Sequence, residues 1–167
     1  MVNLIQQDYK KNVFLFNQIK NLLRKDLDIN IPIEHVGSTV IPNMYGKNII
    51  DILIGANDNN EFNFIKDVLE KQGYFSSERK DNYQFFASKC EETGNGDIHI
   101  HLVITNSERY QDFLLLRDYL LSNSEEAYNY SMYKKELIEK GYTNREDYKR
   151  MKSIYVNKLI EKARKLK

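Results

Sequence analysis

Apolar positions in the first third of the chain change from helical to extended spacing. Between residues 8 and 25 they recur every three or four positions, which predicts an amphipathic helix. Further on, the stretches 33–36 and 48–55 are rich in isoleucine and predict two strands. The loop 37–47 between them contains proline and glycine, so we expect the chain to turn there.

A second helix is expected directly after these strands. Asp58 or Asn60 provides its N-cap and Gly73 ends it, so the helix is predicted over residues 60–72. The first half of the chain therefore contains a strand-loop-strand-helix unit preceded by a helix.

Two further strands are predicted over residues 83–88 and 97–105. Aromatic or β-branched residues are frequent in both. The turn-forming residues Gly94, Asn95 and Gly96 lie between them, so we expect an antiparallel hairpin.

The rest of the chain has helical spacing throughout. Three helices are predicted, over 107–122, 124–141 and 144–166. Gly141 ends the second, and a capping box that begins at Thr143 opens the third.

The fold class that follows is α/β of the α+β kind. We expect a mixed sheet within residues 33–105, with the first two helices packed against it and a C-terminal helical subdomain. The predicted division is a core over 1–106 and a helical subdomain over 107–167, which pack together as one compact unit.

The composition fits a single cytoplasmic domain. The chain has 167 residues, of which 41% are hydrophobic, which is enough for a core and excludes disorder as the main state. No apolar run approaches the ~20 residues that cross a bilayer, and the N-terminus lacks a signal-peptide stretch. Cys90 is the only cysteine, which excludes an internal disulfide and a cysteine-based zinc site.

The net charge of +1 hides an uneven distribution. Residues 134–167 contain 12 basic and 5 acidic residues, whereas the rest of the chain contains 13 and 19. The basic region either binds a phosphate-bearing ligand or is a solvated helical face docked on an acidic body. It lacks an interleaved aromatic and glycine-rich motif, which argues against nucleic acid as the partner.

Candidate phosphate-binding residues precede an acid in an apolar strand. Gly37 allows the backbone to approach a ligand closely, and the Ser38 and Thr39 hydroxyls can bind phosphate oxygens. Asp51 follows Ser38 by 13 positions and interrupts the apolar stretch 49–54. A carboxylate is costly to bury there unless it is paired or bound to a metal. An ordinary turn explains the Gly-Ser pair alone but leaves the acid unexplained.

Two histidines share one face of the last predicted strand. Alternation places Asp97, His99 and His101 together, with aliphatic residues on the other face. Imidazoles two apart on a strand can bind a divalent metal, shuttle a proton or contact a phosphate. The alternative is that they only form hydrogen bonds, to the backbone or to Asp51. We expect Ser38, Asp51 and both histidines to converge in one cleft.

Charged residues on the C-terminal helices form a third candidate set. Arg117 and Asp118 interrupt a run of leucines and need partners, either structural ion pairs or a ligand. Tyr148 and Lys152 are four apart and share a helical face. Lys134 is a similar candidate on the preceding helix.

Six blocks carry a resemblance to a known family: HVGSTVIP at 35–42, KNIIDIL at 47–53, HIHL at 99–102, LRDYL at 116–120, YK at 133–134 and YKRMK at 148–152. Together, and in this order, they resemble the GrpB family of small bacterial proteins. That family is related to a domain fused to some dephospho-CoA kinases, and the resemblance implies a nucleotidyltransferase-like fold.

The resemblance also implies roles for the site residues. Nucleotidyltransferases place a Gly-Ser or Gly-Gly pair before two acids that lie one apart on a strand, and a third carboxylate comes from a neighbouring strand. Such carboxylates hold two metal ions. Gly37 and Ser38 match the pair and Asp51 the first acid, but Leu53 stands at the second acid position. The neighbouring strand offers histidines instead, which argues against ordinary two-metal catalysis.

Two functions follow from the resemblance. The first is metal-dependent transfer of a nucleotidyl or phosphoryl group to a small molecule; the second is a catalytically degenerate module that binds a nucleotide or phosphorylated metabolite and has a regulatory role. The predicted phosphate- or substrate-binding residues are Gly37, Ser38, Thr39, Lys47, Arg117, Lys134 and Lys152. The predicted catalytic and metal-binding residues are Asp51, His99 and His101.

The implied cofactors are a divalent metal and a nucleotide. Imidazole ligands in place of carboxylates shift the preference from magnesium toward manganese or zinc. Binding of such a metal is expected to weaken as the pH falls through the histidine pKa near ~6.5. The expected partner is a nucleotide or phosphorylated small molecule, not a membrane, and the oligomeric state is left open.

Overall fold

The computed structural model describes residues 1–88 and 97–166, in which the chain forms seven strands and five helices. The strands are β1 (Ile5–Gln6), β2 (Ile33–Val36), β3 (Tyr45–Gly46), β4 (Ile50–Ala56), β5 (Phe75–Ser76), β6 (Tyr83–Ala87) and β7 (Ile98–Ile104). The helices are α1 (Tyr9–Leu27), α2 (Asn59–Lys71), α3 (Glu108–Ser122), α4 (Ser124–Glu139) and α5 (Arg145–Lys165). Every predicted helix and strand is present, and the short strands β1, β3 and β5 are additional.

Five of the strands form one mixed sheet in the order β2-β4-β7-β6-β5. Strands β4 and β7 are parallel, and the other neighbours in this sheet are antiparallel. The parallel register pairs Asp51 with His99 and Leu53 with His101. The predicted α+β class is confirmed, as is the antiparallel pairing of β6 with β7. The turn expected at 94–96 lies outside the described residues.

One face of the sheet packs on α1 and α2. Ile52, Ile54, Ile100 and Leu102 are fully buried there with Phe62 of α2. Full burial of such a side chain contributes roughly 1.5–3 kcal/mol, so this layer fixes the register of the two central strands. Because side chains alternate along a strand, the residues between these aliphatic positions face the other side of the sheet.

The C-terminal helices pack on that other side. A small apolar cluster of Val36, Leu53, Val103 and Tyr110 joins the sheet to α3. A second cluster joins the loop before β3 to all three C-terminal helices and contains Ile41, Met44, Leu120, Tyr130 and Leu159. The helices therefore contact directly the sheet face and the loop that carry the candidate site.

The helix ends follow local capping rules. Asp58 caps α2, as one of the two predicted alternatives. At α5 the predicted cap Thr143 is replaced by Asn144, because its side-chain oxygen reaches the backbone N–H groups of both Glu146 and Asp147. Within residues 1–88 and 97–166, no helix is long and apolar enough to cross a membrane.

Candidate functional site

A cavity of about 600 Å³ is lined by the loop after β2, by the central strands and by the C-terminal helices. Its wall contains most of the predicted site residues: Gly37, Ser38, Lys47, Asp51, His99, His101, Arg117, Lys134 and Lys152. Thr39 does not line the cavity, and neither does the exposed Asp97. The structure thus brings Ser38, Asp51 and both histidines into one space.

Asp51 is the common partner of the two strand histidines. Its Oδ1 lies 3.3 Å from His101 Nε2 and 3.5 Å from His99 Nδ1. Burial raises the pKa of Asp51, but the hydrogen bonds from His101 and His99 outweigh burial and hold it well below its usual range. Asp51 is therefore a carboxylate at neutral pH.

Tyr83 fixes the orientation of His101. The two meet at 3.1 Å between the tyrosine hydroxyl and Nδ1. Burial raises the pKa of Tyr83 to about 12, against the opposing charge of Arg109, so the hydroxyl keeps its proton. Because the Asp51 carboxylate only accepts, His101 carries a proton on Nε2 and donates to it. In this tautomer Nδ1 accepts from the Tyr83 hydroxyl. The result is a hydrogen-bonded chain from Tyr83 through His101 to Asp51.

His99 has one ring nitrogen without a partner. Its Nδ1 faces Asp51, whereas its buried Nε2 has no hydrogen bond to any residue in the described part of the chain. The ring meets Phe85 edge-on, with 4.8 Å between centroids. The predicted catalytic pair is therefore asymmetric, because both nitrogens of His101 are engaged.

Gly37 allows the loop to contact Asp51. It has φ +76°, in a region that side-chain-bearing residues rarely adopt, and a β-carbon there would lie 2.3 Å from Asp51 Oδ2. The sequence predicts a glycine that allows the backbone to approach a ligand closely. In the structure, the group that the Gly37 backbone approaches is Asp51. Whether a ligand also uses this turn stays a prediction.

Gln7 holds Ser38 and was not predicted from the sequence. With its amide oriented by its neighbours, the nitrogen donates to the Ser38 carbonyl at 3.0 Å and the oxygen accepts from Asn48 N–H at 3.3 Å. Gly46 also packs closely against Ser38, since a β-carbon at position 46 would lie 2.6 Å from Ser38 Oγ. No periodic pattern marks Gln7, because it follows β1, a strand of only two residues.

Thr39 has a structural partner in place of the predicted phosphate contact. Its fully buried side chain meets His35, with 2.9 Å between Oγ1 and Nε2. The His35 ring stacks on Phe16 with 4.5 Å between centroids. Burial lowers the pKa of His35 to about 4, with Asp51 opposing and Arg117 adding to the effect. This neutral pair anchors the turn that presents Ser38.

Leu53 belongs to the core. It is 0% exposed and packs with Val36, Val103 and Tyr110. The position where nucleotidyltransferases place their second acid therefore lies in an apolar cluster, which does not support a carboxylate.

Basic side chains form another part of the cavity wall. They are Lys47, Lys134, Arg145, Lys149 and Lys152. Lost hydration lowers the pKa of Lys47, and the charges of Lys152 and Arg145 lower it further. Burial also lowers the pKa of Lys152, with Asp51 opposing. The cavity thus collects several positive charges, which lower the pKa of the lysines among them.

Lys134 and Ser131 bind the same backbone unit. The Lys134 ammonium donates to the Tyr45 carbonyl, and Ser131 Oγ accepts from Tyr45 N–H at 2.8 Å. The two helical residues are three apart and so face the same strand. This clasp attaches α4 to β3, next to Gly46 and Lys47.

Arg117 is engaged in ion pairs. It donates to Glu34 at 2.8 Å and to Asp118 at 2.7 Å. Burial lowers the pKa of Arg117, but these two carboxylates outweigh it, so the net shift is upward. Of the two alternatives that the sequence left open, structural ion pairs account for the charge of Arg117, and its phosphate contact stays a prediction.

The donors around Asp51 do not form a metal-coordinating set as they stand. In the described residues, no group of three His, Cys, Asp or Glu side chains is placed to hold a metal ion. The Asp51 carboxylate instead accepts from His101 and faces His99. The arrangement is that of a hydrogen-bonded cluster.

The sequence is similar to known proteins over nearly its full length. A family model described as GrpB protein matches residues 5–162. A UPF0157 protein of Halalkalibacterium halodurans is 30% identical over 134 residues, which are 80% of this chain and 67% of that protein. The glutamate-rich protein GrpB of Alkalihalophilus pseudofirmus is 29% identical over 153 residues, 87% of each chain.

Solved structures show the same fold. The crystal structure of the conserved protein GrpB from Enterococcus faecalis has a TM-score of 0.82 at 22% identity and covers 96% of both chains. Cid1 in complex with its short product ApU has a TM-score of 0.52 at 11% identity, over 78% of this chain and 42% of Cid1. Cid1 is a poly(U) polymerase. The fold is therefore nucleotidyltransferase-like, and at these identities the likeness concerns the fold alone.

Proposed function

We propose, from the premise that the chain belongs to the GrpB family, that its cavity binds a nucleotide or another phosphorylated small molecule. The observation that carries this proposal is the convergence of Lys47 and Lys152, with Lys134 beside them, on one cavity. The same cavity contains the Gly37–Ser38 turn. Its volume of about 600 Å³ lies in the range of small-molecule sites.

Electrostatics favours an anionic ligand. The lysine charges destabilise one another, since Lys152 lowers the pKa of both Lys47 and Lys134. A phosphate group relieves this repulsion and accepts charge-assisted hydrogen bonds, which are about twice as strong as neutral ones. In the described part of the chain, the wall contains two carboxylates, Asp51 and Glu78, and a larger number of basic side chains. A phosphorylated ligand is thus the partner that best complements the wall.

The apolar part of the wall has room for the organic part of such a ligand. Side chains from the loop and from α3 and α5 contribute: Ile41, Met44, Phe113, Leu116 and Val156. Small-molecule sites commonly combine an apolar lining with a few polar groups that fix orientation. Inorganic phosphate would leave this part of the wall without a contact.

Binding without turnover is the first candidate. Two-metal catalysis needs several carboxylates, and Leu53 occupies the second acid position within an apolar cluster. The remaining carboxylate, Asp51, already has two histidine partners. A binding module with a regulatory role requires neither a second acid nor a metal.

Thermal unfolding with matched ligands tests this proposal. Nucleotides and sugar phosphates should raise the melting temperature by roughly 5–10 °C at about a hundred times Kd, whereas their unphosphorylated counterparts should not. Lys152→Met should remove most of the shift. Lys158→Met, on the same helix but outside the cavity wall, is the matched control. Equal shifts with adenosine and its phosphates would contradict the proposal.

Nucleotidyl or phosphoryl transfer is the second candidate. It is favoured by the position of Asp51, His99 and His101 on the same cavity wall as Ser38. This function predicts release of pyrophosphate or phosphate from a nucleotide, stimulated by magnesium, manganese or zinc and lost in Asp51→Asn. Calorimetric titration of manganese and zinc at about pH 7.5 and about pH 5.5 tests the metal separately. If the protein binds nucleotides but turns none over with any of these metals, the transfer function is contradicted and only the binding function remains.

A further inference from the structure

Lys134 has the least solvent-exposed side chain among the described lysines that line the cavity. It is 2% exposed and lies on α4. Its Nζ lies 4.9 Å from the centroid of the Tyr130 ring. Within the described residues, its one hydrogen-bond acceptor is the Tyr45 carbonyl, and no carboxylate forms a salt bridge with it. The Tyr130 ring offers a cation–π contact to a charged lysine, but an ammonium has three N–H donors and only one acceptor among the described residues.

The same environment suits a neutral amine. A neutral amine has two N–H groups and one lone pair, so a single acceptor leaves less of its hydrogen-bonding capacity unsatisfied. The charged groups that act on it are Lys152 of α5 and Asp51 of β4. Burial and the charge of Lys152, against the opposing charge of Asp51, together lower the pKa of Lys134 to about 7. Near neutral pH, a large fraction of the side chain is therefore a free amine.

We propose that Lys134 is a reactive amine that forms an imine with a phosphorylated aldehyde or ketone bound in the cavity. The proposal rests on the proposed function for its phosphate recognition, since Lys47 and Lys152 hold the phosphate while the carbonyl group meets Lys134. It assigns to Lys134 a covalent role in place of the phosphate contact expected from the sequence.

The bond changes balance without any further reactant. The lone pair of Lys134 Nζ attacks the carbonyl carbon and gives a carbinolamine. A carbon–nitrogen double bond then forms as the carbonyl oxygen leaves with the two amine protons as water. Nothing is oxidised or reduced, and hydrolysis reverses the step. A lysine whose pKa is lowered by burial and by a neighbouring cation is the usual form of an imine-forming nucleophile.

A purely structural role is the competing interpretation. Lys134 and Ser131 both hold the Tyr45 backbone, and an ammonium serves that clasp as well as an amine does. A structural lysine has no reason to react faster than its neighbours on the surface. Lys135, the next residue on α4, is only partly buried and provides that comparison within the same peptide region.

Reductive trapping distinguishes the two roles on the unmodified chain. The protein is incubated with substoichiometric pyridoxal 5′-phosphate, an aldehyde that carries a phosphate, then reduced with borohydride and mapped by peptide mass spectrometry. At about pH 7 we expect at least about tenfold more adduct at Lys134 than at Lys135, because an ordinary lysine is almost fully protonated there. Lys134→Arg should abolish this adduct, and Lys135→Arg should not.

A second probe separates this proposal from the proposed function. Pyridoxal carries the same aldehyde without the phosphate. Selective labelling of Lys134 by the phosphorylated probe but not by pyridoxal supports both proposals. Equal labelling of Lys134 by the two probes supports the reactive amine and contradicts phosphate recognition. Labelling of Lys134 no faster than Lys135 by either probe overturns the reactive amine, whatever the thermal shifts show.

Discussion

Gly37 and Asp51 are in contact in a way that only glycine allows. A β-carbon on Gly37 would lie 2.8 Å from the Asp51 β-carbon and 2.3 Å from its Oδ2, both shorter than side chains tolerate. The turn before the candidate site therefore rests directly on the acid at its centre. A displacement of either residue moves the other.

Gly37→Ala tests this contact. The substitution combines an unfavourable φ with a clash against strand β4, so we expect a loss of about 3 kcal/mol or more in the free energy of unfolding. Gly73→Ala is the matched control, because Gly73 also has a positive φ but nothing lies within 4 Å of its added β-carbon. It should cost only about 1–2 kcal/mol. Urea unfolding measures both, and equal losses would contradict the contact.

The pH dependence of stability should reflect His35. Its pKa is about 4 in the folded chain and ~6.5 when unfolded, so between these values the unfolded chain binds the additional proton. The contribution of His35 is therefore present above about pH 6.5 and is lost as the pH falls toward 4, by up to about 3 kcal/mol. His35→Gln should flatten this part of the curve.

An NMR titration provides the direct check on His35. Its imidazole should stay neutral at about pH 5.5, where an ordinary histidine is mostly protonated. A titration midpoint near 6.5 for His35 would show that burial and the Thr39 contact do not control its charge.

Leu53→Asp should not restore a second catalytic acid. Leu53 is fully buried among Val36, Val103 and Tyr110, so an unpaired carboxylate there is expected to destabilise the fold by several kcal/mol. Leu53→Asn is the matched control, because asparagine has nearly the shape of aspartate but no charge. It separates the cost of burying a polar group from the cost of burying a charge. Thermal unfolding and magnesium titration measure the outcome. A stable Leu53→Asp variant that binds magnesium would show that the position belongs to the site.

Tyr83→Phe should remove the hydrogen bond that selects the tautomer of His101. The substitution keeps the ring beneath Arg109 but removes the hydroxyl that meets His101 Nδ1. We expect a loss of about 1 kcal/mol in stability and a change in the His101 ring nitrogen shifts by NMR. The His99 signals provide the comparison, since the described contacts of that ring are with Asp51 and Phe85. Unchanged His101 shifts would contradict the hydrogen-bonded chain.

The local part of this structure could be predicted from the sequence. Alternation in β7 separates the two histidines from the aliphatic residues, and the apolar run in β4 identifies Asp51 as an exception. These patterns repeat every two residues and need no knowledge of the rest of the chain. The resemblance to the GrpB family adds the nucleotidyltransferase-like fold that joins these elements.

The remaining features depend on contacts between distant residues. Ser131 and Tyr45 are 86 positions apart, and their bond joins a side chain to a backbone group, which leaves no periodic trace. The Gln7 side chain also bonds to backbone groups far along the chain, those of Ser38 and Asn48, so it too leaves no periodic pattern. Thr39 carries a hydroxyl that could bind a phosphate group, but in the folded chain this hydroxyl contacts His35. Residue type alone does not decide which way such a side chain points.

Calorimetric titration with inorganic pyrophosphate most directly tests phosphate recognition by the lysine wall. We expect saturable 1:1 binding that weakens by about tenfold in Lys152→Met, the loss of one charge-assisted hydrogen bond. Lys158→Met, which leaves the cavity intact, should bind as the unmodified chain does. No saturable binding, or equal affinities for the two variants, would contradict a phosphate site at these lysines.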